Sequence, residues 1–263
     1  IPVEFRNKTK EIFFDILTNL LKKLNENENT DSDILKNIYS YLTVNAVNEN
    51  NYDILLHLLD DKPTIFGVEI KKPKVISAKF SYYKKIYLSS KIDTETKNNL
   101  LNKLIEEEKK SEKSSLCKLT CKALNPVINN KEKLWNIFVN EPNSDSLYNI
   151  EAMMEGFAPL NQLNLVEKFL NQKYFEDISK VCKTTERHYL SNFIHYLSPK
   201  INNEEIIKIF ETVLEEIKEI PAAKRLITEK IDNLKREFKC HQIFREYIAK
   251  NKDKLDILKY SLY

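Results

Sequence analysis

Hydrophobic positions recur at intervals of three and four along nearly the whole chain, the spacing that lays one apolar stripe along a helix. Near the N-terminus Ile12, Phe13, Ile16, Leu17, Leu20, Leu21 and Leu24 predict such a stripe. Ile34, Ile38 and Leu42 predict a shorter helix and Ile54, Leu55, Leu58 and Leu59 another, while Ile76, Phe80, Tyr83 and Tyr87 predict one after Pro73. Asp93 is placed to cap a helix carrying Leu100, Leu101, Leu104 and Ile105. Leu116, Leu119, Ala123 and Leu124 predict a helix that ends before Asn125-Pro126, and Asn130 is expected to cap the helix of Trp135 and Phe138.

The pattern continues. Ser144 or Asp145 is expected to open a helix through Leu147, Ile150, Met154 and Phe157 that stops at Pro159. In it Gly156 suits a C-cap, and Phe157 is expected to be buried against the following pair of helices. Phe169, Tyr174, Phe175 and Ile178 follow, then Leu190, Phe193, Ile194 and Leu197, closed by Ser198-Pro199. Asn203 starts a helix through Ile206, Phe210, Val213, Leu214 and Ile217. Pro221 suits the first turn of the next, which carries Leu226, Ile227, Ile231, Leu234 and Phe238. The tail from His241 to Tyr263 predicts one or two more.

Connections of a few residues make sequence neighbours pack as antiparallel pairs, and such pairs stacked side by side form an α-solenoid. The expected fold is therefore all-α, an armadillo/HEAT-like superhelical bowl occupying residues 1–263 as one domain. No repeat at a fixed period accompanies it. The stretch DKPTIFGVEIKKPK, residues 61–74, is read as a long loop rather than a boundary.

Composition sharpens this picture. Gly67 and Gly156 are the two glycines, which disfavours a hairpin-rich sheet protein and a glycine-lined phosphate site. Lys+Arg 42 against Asp+Glu 39 gives +3, interleaved along the chain, the charge of a solvated helical surface rather than of a nucleic-acid footprint. Cys117, Cys121, Cys182 and Cys240 are too few and irregular for a disulfide framework, so a reducing, cytoplasmic setting is expected. No apolar run is long enough for a bilayer, and IPVEF is neither an initiator methionine nor a signal peptide, so the chain is expected to begin within a longer protein.

Candidate chemistry is sparse. His188 and His195 are seven apart on a predicted helix, but no His-Glu-x-x-His string accompanies them, and they read as structural or surface residues. His57 and His241 stand alone. Cys117 and Cys121 share a helix face that permits a metal or redox pair, but without Cys-x-x-Cys they read as small buried hydrophobes. Glu106, Glu107 and Glu108 with Lys109 and Lys110 read as a solvated helix end. Glu204-Glu205 and Glu215-Glu216 are sequence neighbours that do not face one another on a helix, so neither pair can share acid and base roles. No catalytic residue and no metal ligand set is assigned in this chain, and no cofactor is expected in it.

The stretch MMEGFAPLNQLNLVEKFLNQKYFEDI, residues 153–178, carries more. Its Glu-Gly-Phe, Gln162, Leu165-Val166-x-x-Phe169 and Lys173-Tyr174-Phe175 resemble a segment of the C-terminal helical domain of zinc aminopeptidases of the aminopeptidase N type, closest to the actinobacterial and protist branch. Upstream, the helix from Asp93 to Lys109, the helix from Ser111 to Ala123 and Lys133-Leu134-Trp135 are similar to the family's succession of short helices. Downstream, Arg187 in TTERHYL, Tyr196-Leu197-Ser198-Pro199 and PAAKRLITEKIDNLKREF resemble its closing helices. There Lys224-Arg225 stands for a paired arginine, and Glu229, Asp232 and Arg236 match the remainder. The resemblance covers about residues 73–240.

The resemblance implies a non-catalytic cap that closes over a zinc site and limits which peptides enter, with the zinc and its ligands in a catalytic domain outside this chain. Its implied partners are the catalytic domain of the same polypeptide and peptide substrates, with neither nucleic acid nor membrane. Met153-Met154-Glu155-Gly156 is not the family's amine-recognition string Gly-x-Met-Glu-Asn, since Gly and Asn are missing at its ends. Arg187 is the candidate for a residue facing the peptide chamber, where a guanidinium would grip a peptide carboxylate. The alternative for Arg187 is a surface ion pair with Glu186 or a neighbouring helix. The competing reading of the whole chain is a free-standing helical-repeat scaffold for protein interactions.

Overall fold

The computed structural model describes residues 2–26, 31–71, 79–107, 112–200 and 202–251, and these are all-α apart from one small hairpin. The helices are α1 Val3–Asn25, α2 Ser32–Asn45, α3 Glu49–Leu58, α4 Lys79–Tyr87, α5 Thr94–Glu107, α6 Glu112–Leu124, α7 Ile128–Asn140, α8 Leu147–Phe157, α9 Leu163–Lys168, α10 Tyr174–Thr184, α11 Arg187–Leu197, α12 Glu204–Glu216 and α13 Pro221–Lys250. The chain falls into two compact units, one of residues 7–166 and the other of residues 167 onward together with the first residues of α1. Ile76, Pro73, Glu108, Lys109, Lys110, Ser111 and the tail after Asn251 lie outside the described residues.

In the first unit α4 packs on both α2 and α6, and α6 packs most extensively on α8, so the even-numbered helices lie in a row. The odd-numbered α3, α5 and α7 attach to that row. Phe14, Leu21, Tyr39, Leu42, Leu55, Leu58, Tyr82 and Ile86 are the centre of one apolar core, and Tyr83, Leu104, Cys117, Cys121 and Leu124 form a second. In the other unit α12 packs on α10 and α13, and α11 packs on α13. Its core is aromatic: Tyr174 lies 5.6 Å from Phe193 and 5.8 Å from Phe210, ring centre to ring centre.

Local chemistry set several helix starts as expected. Asp93 accepts from the Thr96 backbone N–H at 2.7 Å ahead of α5, Asn203 accepts from Ile206 at 2.8 Å ahead of α12, and Pro221 is the first residue of α13. Ser146, rather than Ser144 or Asp145, caps α8. Asn130 lies inside α7 and does not cap it; its side-chain amide donates to the Lys122 carbonyl at the end of α6, 3.0 Å away.

Three further expectations are corrected. Residues 61–74 are not wholly loop: Thr64–Ile65 pairs antiparallel with Val68–Glu69 around Phe66-Gly67. Both turn residues have positive φ, 50° and 78°, as a two-residue hairpin turn of matching twist demands, and glycine supplies the second without strain. The stripe on α1 is split. Leu17, Leu21 and Leu24 join Phe14 in the core, but Ile12, Phe13, Ile16 and Leu20 face outward, because α1 is apolar on two sides. Gly156 is not a left-handed C-cap; it sits within α8, where that helix runs against α6.

Candidate functional site

Two helix ends in the first unit, those of α6 and α8, are closed by side chains. The last carbonyls of α6 accept in turn from Asn130 (Lys122, 3.0 Å), Lys131 (Ala123, 2.5 Å) and Gln162 (Leu124, 2.8 Å). Lys131 also donates to the carbonyl of Phe157, the last residue of α8, at 2.7 Å, and its ammonium stands 5.4 Å over the Phe157 ring. A cation at two helix C-termini meets the negative ends of both dipoles and satisfies carbonyls that have no partner within their own helices. Lys131 is fully buried, and burial pushes its ammonium down to about 8.

Beside this capped end a cleft of about 380 Å³ opens across the even-numbered row. Thr43 and Val44 of α2, Lys84 and Lys85 of α4, Thr120 and Leu124 of α6 and Glu155 of α8 contribute to its walls, with Ala46, Val47, Leu88 and Pro159 adding apolar surface. Lys84 Nζ is held by both oxygens of Glu155, at 2.9 and 2.6 Å, and Thr120 Oγ1 lies 3.4 Å from the same carboxylate. Those charges cancel.

Lys85 is different. Its Nζ makes one long hydrogen bond, 3.4 Å, to the Ala46 carbonyl just past the end of α2, and no carboxylate of the described residues lies within ion-pair distance. Burial, and then the neighbouring charge of Lys10, push it down to about 8. The cleft is thus a partly apolar hollow with one neutralised and one unneutralised ammonium.

Arg187, singled out from the sequence, is the first residue of α11 in the other unit and is exposed. The Glu186 ion pair does not form, and Glu186 does not cap the helix with its side chain. Arg187 shares a helical face with Ser191, Ile194 and His195, which line a shallow groove of about 250 Å³ against Leu226, Glu229, Lys230 and Asn233 of α13. Lys224-Arg225, Glu229, Asp232 and Arg236 are exposed on α13, with Arg225 paired to Glu229 at 2.8 Å.

The other sequence candidates stand apart from both hollows, save His195. His188 is exposed, His57 lies near Asp53 and Asp60 on its own helix face, and His241 is buried beside Glu237. Cys117, Cys121 and Cys182 are buried and Cys240 is exposed, none of them in a disulfide; the hydrogen bond with Cys117, and then burial, hold the Cys121 thiol up, and burial holds up that of Cys182. Among the described residues no three His, Cys, Asp or Glu side chains gather where a metal ion could be held, and no helix is long and apolar enough to cross a membrane.

Sequence reasoning missed Lys84, Lys85, Lys131 and the pairing of Glu155. A signal existed for Lys131: with Leu134, Trp135 and Phe138 it falls on the apolar stripe of its helix, where a lysine must find an unusual partner. Lys85 stands three residues from buried Tyr82 and so at the edge of the α4 stripe. No protein-family model matches the chain, and no curated protein matches it either.

Proposed function

We propose that this chain is the C-terminal helical domain of a zinc-dependent aminopeptidase of the aminopeptidase N type. It is a non-catalytic cap that closes over the zinc site of a catalytic domain in the same cytoplasmic polypeptide and restricts the peptides that reach it. The observation that carries this reading is the ordered series of motifs over about residues 73–240, ending in PAAKRLITEKIDNLKREF. The fold supports it. That closing string lies on α13 with Pro221 at its first position, and Gln162, a residue of the central motif, ties the end of α6.

The finer architecture proposed is an α-solenoid of antiparallel pairs. Contacts between each helix and the next but one, α2 to α4 to α6 to α8 in one unit and α10 to α12 and α11 to α13 in the other, are those that stacked helix pairs make. Zinc and the residues that polarise the scissile carbonyl belong to the catalytic domain. The part of this chain is to shape the chamber, exclude bulk water and hold the body of the peptide.

The test uses the native protein, isolated from its cells with antibodies raised against this chain. Release of N-terminal amino acids from peptides, abolished by a chelator and restored by zinc, is the expected result. A native protein without such activity contradicts the proposal.

A further inference from the structure

We propose that the cleft between α2, α4, α6 and α8 binds a small organic anion, a carboxylate or phosphate ester with an apolar body, and that Lys85 receives the charge. The inference stands on this cleft alone and not on the aminopeptidase reading.

Charge decides the sign of the ligand. Lys84 and Glu155 neutralise one another through two short contacts, so neither has charge to spare. Lys85 has no acidic partner, and its single hydrogen bond of 3.4 Å is long for an ammonium, which carries three donors. Lys85 and Ala46, whose carbonyl accepts that bond, both line the cleft. Lys10 adds positive charge on the same side. A second cation is therefore repelled, whereas an anion relieves the crowding and gives Lys85 charge-assisted bonds.

Shape decides the rest. About 380 Å³ lies within the range of small-molecule sites and far exceeds what one inorganic ion fills. Val44, Val47, Leu88, Leu124 and Pro159 offer apolar contact for the body of a ligand whose charged end is at Lys85. The reduced proton affinity of Lys85 in the empty cleft accords with this, since an arriving anion supplies the counter-charge that burial withholds.

The test is titration of the chain, carrying isotope-labelled lysine, with 3-phenylpropionate and with phenyl phosphate, and with neutral 3-phenylpropionamide as control. Saturable binding of one or both anions is expected, with the Lys85 side-chain signal moving and the amide binding about tenfold more weakly. The preferred anion identifies the source as carboxylate or phosphate. Lys85→Gln is expected to weaken anion binding about tenfold and Lys85→Arg to retain it, circular dichroism confirming that both fold. No saturable binding of either anion overturns the proposal, as does equal affinity for the amide. An unmoved Lys85 signal in the unsubstituted chain overturns it too, whether or not the variants fold.

Discussion

Gly156 brings α8 against the Thr120 backbone of α6: a Cβ at position 156 would stand 2.2 Å from the Thr120 carbonyl oxygen and 3.0 Å from Ala123 Cβ. Backbone, which cannot swing aside, occupies the space. Gly156→Ala gains about 1 kcal/mol of helix propensity and loses about 1–3 kcal/mol to overpacking, so a net loss of stability is expected in urea unfolding. A stabilised variant would mean that the two helices separate readily.

Phe157 fills the neighbouring space. Fully buried, its ring lies 5.7 Å from Trp135 and 5.6 Å from Phe138, both on α7. Phe157→Ala is expected to cost about 3–5 kcal/mol and to lower the thermal midpoint accordingly. An unchanged midpoint would contradict this packing.

Lys131 gives a pH signature. Its ammonium is held at about 8 in the folded chain, below the ordinary lysine value, so at higher pH the unfolded chain binds a proton that the folded chain has released. Stability contributed by this residue is therefore flat below about pH 8 and rises with pH towards the unfolded value near 10.4. Relative to Lys131→Met, the unsubstituted chain should gain up to about 3 kcal/mol across that window. Denaturation curves at pH 7.5 and 10 for both proteins measure it, and a difference independent of pH would contradict it.

Arg187 separates peptide contacts from bulk folding effects. It is exposed at the start of α11, with the packing of that helix supplied by Tyr189, Leu190, Phe193 and Ile194. On the proposed assignment, Arg187→Ala in the full-length protein should raise the KM for short peptides with free C-termini and leave single-residue amide substrates nearly unchanged. Equal effects on the two substrate types, or none, would remove Arg187 from the chamber.

What was legible in the sequence was what neighbouring residues decide. Asp93, Asn203 and Pro221 marked helix starts because capping acts over one turn, and Tyr83, Leu104, Phe193 and Phe210 fell on stripes whose period leaves no other face to bury. The α1 stripe was not settled, since apolar residues surround much of that helix and only tertiary contact selects Phe14 over Phe13. The Phe66-Gly67 turn was hidden because phenylalanine gives no hint of positive φ. Neither Gly156 against Thr120 nor Lys131 between two helix ends is readable locally, as each depends on residues brought together from distant helices. Lys85 was hidden likewise: its position at the cleft depends on the end of α2.

The measurement that bears most directly on the aminopeptidase assignment is mass-spectrometric sequencing of the native polypeptide that contains this chain, extended upstream of Ile1. The expected result is one continuous polypeptide carrying Gly-x-Met-Glu-Asn and then His-Glu-x-x-His with a further carboxylate ligand, followed by the helices described above. A native polypeptide without those strings would contradict the assignment and leave a helical scaffold.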